Sequence, residues 1–194
     1  MKKLFALFLW LACLHSTQAQ MSIKAAYMSS VTFPGFKVGI EMPTKVKTIT
    51  KQRSWGTKTI LKERYWTLNV GFYHHPDFHD HLYLLAERQF RRQYSKGFFM
   101  ELAPGIGYSR TFLGKATYTL ADDGTVSKKT LAGYNFLMLS VAAGVGYDFS
   151  KTKNLPFKLY LKPSFFAIAP YNSTKYMRPT YEIGMIYPLG SKKN

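Results

Sequence analysis

Four histidines and two aspartates fall within one short run, Tyr73-His74-His75-Pro76-Asp77-Phe78-His79-Asp80-His81, and the only other histidine is His15. Imidazole nitrogens combined with a carboxylate suit zinc, copper or nickel. His74, His75, His79, His81 and Asp77 are therefore a candidate metal set, in which His79 and His81 share a face if the chain is extended and Pro76 bends Asp77 towards them. The same groups could perform acid–base chemistry, which requires an activated hydroxyl within hydrogen-bond reach of an imidazole. Ser109 and Ser140 are hydroxyls on other segments, and no motif ties them to the histidines. The spacing lacks the His-x-x-x-His pattern of a helical metal site. It favours a polar loop joining two apolar segments, Trp66–Phe72 and Leu82–Phe90, with metal binding and catalysis as alternatives.

The segments that must position this run have a period of two, the signature of strands with one apolar face. From Asn135 to Phe149 the odd positions carry Leu137, Leu139, Val141, Val145, Tyr147 and Phe149, and the even ones become small and polar at Ser140, Ala142, Gly144, Gly146 and Asp148. Phe98–Thr111, Phe157–Ala169 and Tyr181–Leu189 repeat the alternation. Each run is long enough to cross a bilayer as a tilted strand of ~9–11 residues. The charges distinguish a membrane barrel from a soluble one. If the bulky face points outward, Lys37, Glu41, Glu87, Arg91, Glu101, Lys158, Lys162 and Glu182 all lie on the other side, the lumen of a membrane barrel. In a soluble barrel that charged side would have to be the exterior. Tyr108, Tyr147, Tyr187 and Trp66 suit the headgroup girdle.

The N-terminus has the layout of a secretory signal peptide: Lys2 and Lys3, an apolar run from Leu4 to Leu14, and an exit at Thr17-Gln18-Ala19. The run falls short of the ~20 residues of a membrane-spanning helix. The expected organisation is a signal peptide at 1–19 and one barrel domain at 20–194. The single cysteine, Cys13, lies in the removed part, so the mature chain has no disulfide and no thiol chemistry. Acylation of Cys13 is disfavoured, because Trp10 and Ala12 do not supply the usual aliphatic residue ahead of it. The chain has 27 basic and 10 acidic residues, an excess that would ordinarily suggest nucleic acid or an anionic surface, and export excludes the first. Much of the excess is local: Lys45, Lys47, Lys51, Arg53, Lys58, Lys62 and Arg64 stand against Glu63 alone between Thr44 and Arg64. This basic hairpin reads either as a solvated strand extension whose lysines prevent edge pairing or as a docking surface for an acidic envelope partner or lipid phosphates.

The closing segment, Glu182-Ile183-Gly184-Met185-Ile186-Tyr187-Pro188-Leu189, resembles the C-terminal assembly signal of bacterial outer-membrane barrels, with Gly184, Tyr187 and Leu189 in the signal positions. It departs from that pattern in ending on Leu189, with Gly190 to Asn194 beyond. With Gly105-Ile106-Gly107-Tyr108 and Gly144-Val145-Gly146-Tyr147, it makes the mature chain similar to the small outer-membrane β-barrel family of Gram-negative bacteria. The resemblance implies an all-β, eight-stranded, antiparallel up-and-down transmembrane β-barrel in the outer membrane, placed there by the insertion machinery and surrounded by outer-membrane lipid. It also implies an enzymatic alternative, because some such barrels modify lipid A with a histidine, a serine and a carboxylate. The Gly-x-Gly-Tyr units lack the following helix and Lys-Ser/Thr of a phosphate loop, so their glycines are read as lumen space or strand curvature. No cofactor is expected.

Turn signals at 33–35, 55–56, 95–97, 122–124, 153–156 and 171–173, with the histidine run, divide the chain into eight strands. These are Ser22–Ser30, Phe36–Lys51, Thr57–Tyr73, Leu82–Tyr94, Gly97–Leu120, Val126–Phe149, Phe157–Ala169 and Lys175–Leu189. An even count puts both termini on one side, the periplasm in such a barrel, and sends the basic hairpin to that side too. An eight-stranded barrel is about wide enough inside for side chains to fill it. The lumen charges are therefore expected to pair and to close the barrel. The resulting expectation is a non-enzymatic envelope protein with a structural or interaction role; the alternatives are a lipid A-modifying enzyme and a small-solute channel.

Overall fold

Alternation of bulky and small residues produces strands, and the strands close on themselves. The computed structural model describes residues 20–30, 33–54, 56–76, 78–171 and 174–190; the predicted signal peptide lies outside them. The strands are β1 (Ser22–Ser30), β2 (Phe33–Arg53), β3 (Gly56–His75), β4 (His79–Tyr94), β5 (Phe98–Leu113), β6 (Thr117–Leu120), β7 (Val126–Lys129), β8 (Asn135–Asp148), β9 (Lys158–Tyr171) and β10 (Thr174–Pro188). Eight form a closed barrel in the order β1-β10-β9-β8-β5-β4-β3-β2, and β6 pairs with β7 alone. Every barrel neighbour is antiparallel. Closure leaves no free edge along the barrel itself, which a lipid-exposed sheet requires. At the seam, Ser22 faces Pro188, and the Leu189 N–H donates to the Met21 carbonyl at 2.7 Å.

Outward positions carry the large apolar residues, such as Phe36, Leu68, Leu84, Leu102, Leu139 and Ile183, which are exposed on the outer wall. Inward positions carry a mixture of rings, small residues and charges. Space for the rings comes from glycines. A Cβ on Gly71 would enter the ring of Tyr83, its directly paired neighbour, and one on Gly184 would meet the Tyr160 ring at 2.6 Å. Met28, Tyr73, Tyr83, Leu85, Phe136, Met138, Phe166 and Ile168 form an apolar cluster in the half away from the termini, here called the far half. Ala26, Phe99, Tyr160 and Ile186 form a second cluster.

Turns at the near end, with the termini, are tight. Gly97 takes φ 90°, a conformation that suits glycine, and donates to the Tyr94 carbonyl at 3.0 Å. β2 and β3 pair to their tips, Arg53 opposite Gly56, and so carry the basic hairpin past that end of the barrel.

Two expected boundaries change. Gly97–Leu120 and Val126–Phe149 are not continuous barrel strands: β5 stops at Leu113, β8 starts at Asn135, and β6–β7 form a separate ribbon. The pairing shifts by one residue where Leu131 takes φ 54° and Gly133 packs against the Thr111 carbonyl with no room for a side chain. The tip of the ribbon is a polar turn, in which the Thr125 N–H donates to Asp123 at 2.9 Å and holds that carboxyl below its usual range. The histidine run is also not a loop. β3 continues through His75 and β4 begins at His79, because the ladder pairs His74 with Asp80 and His75 with His79 right up to the turn.

Candidate functional site

The inward parity of the strands brings the predicted lumen charges together. Lys37 on β2 reaches Glu182 on β10 at 2.5 Å and Glu87 on β4 at 3.9 Å. Lys162 on β9 lies 3.4 Å from Glu182 and 3.5 Å from Glu87. In the barrel order β4 and β10 stand on opposite walls, so these two lysines bridge the full bore. Nearer the termini, the Arg91 guanidinium donates to Glu41 at 2.8 and 3.3 Å and to Glu101 at 3.0 Å, with the Tyr65 and Phe99 rings 4.9 and 4.8 Å from its centre. All of these charged groups are buried. Charge-assisted contacts of this kind offset the desolvation that each ion would otherwise suffer.

The eighth member behaves differently. Lys158 pairs at 3.3 Å with Asp148, a residue on the small face that sequence reasoning had left out of the network. Other inward residues were missed as well. Lys24 lies 4.8 Å over the Tyr160 ring, Thr67 and Asn69 donate to Glu87 at 3.2 and 3.0 Å, and Gln89 donates to Glu101 at 2.5 Å. The signal that could have found Lys24 is parity, since Ser22, Lys24, Ala26 and Met28 alternate with Ile23, Ala25 and Tyr27 in the shortest strand of the barrel.

At the far mouth the four histidines separate. His74 points to the outer wall, where its Nδ1 lies 2.6 Å from Asp80 Oδ1, both side chains about half exposed. His75, His79 and His81 lie on the inward parity. The His75 ring stacks on Phe33 at 4.0 Å and stands 5.2 Å from that of His79. His81 is buried, with its Nδ1 hydrogen-bonded to the Tyr73 hydroxyl, and Arg178 sits 3.6 Å over the Tyr73 ring. Asp77 lies outside the described residues. Among the described residues no group of three or more His, Cys, Asp or Glu is placed to hold a metal ion. Nor is any serine or threonine hydroxyl hydrogen-bonded to the four imidazoles; Ser109 and Ser140 are buried in the barrel wall.

The residues of the assembly signal occupy the closing strand. Gly184 faces inward beneath Tyr160, Tyr187 is exposed on the outer wall, and Leu189 follows the last paired residue.

No protein-family model matches the sequence, and no curated protein matches it. The structure is similar to the outer-membrane enzyme PagL, with a TM-score of 0.51 at 13% identity over 87% of this chain and 99% of that one. It is also similar to the N-terminal β-barrel domain of Pseudomonas aeruginosa OprF, at TM-score 0.46 and 13% identity, covering 89% of this chain and 98% of that one. Ail, the attachment invasion locus protein of Yersinia pestis, matches at TM-score 0.32 and 13% identity over 89% of this chain and 100% of that one. The fold is that of the small eight-stranded outer-membrane β-barrels.

Proposed function

We propose that this chain is a non-enzymatic integral protein of the outer membrane, exported through a cleaved signal peptide at 1–19 and delivered to the bilayer by the insertion machinery. Its role is structural or one of interaction in the envelope, with both termini and the basic hairpin in the periplasm. One observation carries the reading against a channel: Lys37 and Lys162 join Glu87 to Glu182 across the bore, in a barrel narrow enough for side chains to fill. Planar-bilayer recording of the purified protein tests it. The expected result is no large, steady conductance, and a stable conductance in the nanosiemens range (about 1 nS or more) would falsify the closed lumen.

A second reading, an enzyme acting on outer-membrane lipid, is favoured by the His74–Asp80 pair on the outer wall, where a carboxylate orients an imidazole at the membrane boundary. It lacks a hydroxyl nucleophile in contact with that imidazole among the described residues. Lipid A incubated with the protein should remain unmodified. Modification that is abolished by alanine at His74 would replace the structural reading with the enzymatic one.

A further inference from the structure

The basic hairpin is not uniformly charged; its register sorts the cations onto one face. Lys45 is directly opposite Arg64, Lys47 opposite Lys62, and Lys51 opposite Lys58. On the β4 side, Lys62 is opposite Arg92, Arg64 opposite Phe90, and Trp66 opposite Arg88. The result is a grid on the outer wall: a row of Lys47, Lys62 and Arg92, a row of Lys45, Arg64 and Phe90, and a row of Met42, Trp66 and Arg88. Like charges directly opposed across strands destabilise a sheet. Among the described residues no acid on these strands pairs with them, because Glu41, Glu63 and Glu87, the carboxylates within or beside these stretches, are buried on the inward face. Guarding a strand edge needs scattered lysines, not stacked cations.

The grid begins where the apolar wall ends. Arg92 is opposite Met100, one outward position from Phe98 at the start of β5. Trp66 and Phe90 are exposed on the outer wall, with Arg88 5.0 Å over the Trp66 ring and Arg64 5.8 Å over Phe90. Aromatic rings with cationic heads beside them occupy the headgroup level of a bilayer. We infer that this face binds the phosphodiester headgroups of anionic phospholipids in the leaflet at the terminal end of the barrel. Phosphates between the rows neutralise the opposed cations, and the adjoining rings hold the acyl chains. The inference rests on the transmembrane reading and names the lipid class that the hairpin selects.

Trp66 is a built-in reporter. The full chain carrying Trp10→Phe and Trp55→Phe is folded into vesicles containing brominated phosphatidylglycerol or brominated phosphatidylcholine, and quenching of Trp66 is titrated. The expected result at low salt is a relative association constant about tenfold higher for the anionic lipid, decreasing with added salt. Lys47→Gln with Lys62→Gln and Arg92→Gln should bring it close to one. A charge-matched control, Lys115→Gln with Lys128→Gln and Lys129→Gln in the opposite hairpin, should keep it. Equal quenching by both lipids, preference retained in the first variant, or preference lost equally in the control overturns the inference. Abolition of the preference by millimolar inorganic phosphate (about 10 mM) also overturns it, assigning the face to soluble anions. Absence of quenching by either lipid would instead overturn the transmembrane reading itself.

Discussion

Arg91 offers the sharpest test of what holds the barrel closed. Its guanidinium serves two carboxylates on two strands, Glu41 on β2 and Glu101 on β5, from its own position on β4. Arg91→Met keeps most of the stem that packs between Tyr65 and Phe99 and removes the charge. Both glutamates then remain buried without their shared partner, at 0% side-chain exposure each. Removing one partner of a buried pair costs about 3–5 kcal/mol. With a denaturant slope of about 2 kcal/mol/M, the urea midpoint falls by roughly 2 M. The assay is reversible unfolding in detergent micelles or thin bilayers, followed by Trp66 fluorescence in the Trp55→Phe background. Adding Glu41→Gln and Glu101→Gln to Arg91→Met removes the orphaned charges and should recover most of the loss. The reasoning fails if Arg91→Met unfolds within about 0.5 kcal/mol of the natural chain, or if the triple variant is no more stable than the single one.

Gly71→Ala should cost about 1–3 kcal/mol, because the new Cβ enters the Tyr83 ring, and Tyr83→Leu should restore much of it; unfolding midpoints of the two variants check this. His81→Ala should destabilise by about 1–3 kcal/mol through loss of its buried hydrogen bond to Tyr73, whereas His74→Ala should lie within about 1 kcal/mol, since its pair with Asp80 is exposed; equal effects in the same unfolding assay would contradict the assigned faces. Gly184→Val should lower the yield of membrane-inserted protein more than Leu189→Ala does, because the valine meets the Tyr160 ring and the Ala25 carbonyl; heat-modified gel mobility of membrane fractions measures the yield.

Period-two alternation in segments such as Phe98–Thr111 and Asn135–Phe149 is local, and it was enough to separate the outer wall from the lumen, while the turn signals between such segments set eight crossings. β1 has the bounds expected from Ser22–Ser30, and the strands alternate in burial as their spelling implies. The end of β5 was less legible, because Gly114 to Tyr134 alternates weakly and the break depends on backbone geometry at Leu131 and Gly133. The histidine run misled for a related reason. Polar residues beside a proline read as a loop, yet the pairing of β3 with β4 continues through them and is a property of two strands together.

Strand parity, the inward placement of eight charges and the concentration of cations between Thr44 and Arg64 were all determined by the sequence, since side-chain direction in a strand depends only on counting by twos. The tertiary structure alone decided which charges meet. Glu87 and Glu182 are joined across the bore because closure and stagger place β4 opposite β10, whereas Lys158 meets Asp148 because the register of β8 on β9 sets the two directly opposite each other. The register of β2 on β3 and of β3 on β4, which no single strand encodes, stacked like charges into a face and carried the β3–β4 ladder through the histidine run, where parity then puts three histidines inside the mouth and one outside. Partner choice between strands depends on barrel stagger, a quantity set by the whole ring of hydrogen bonds.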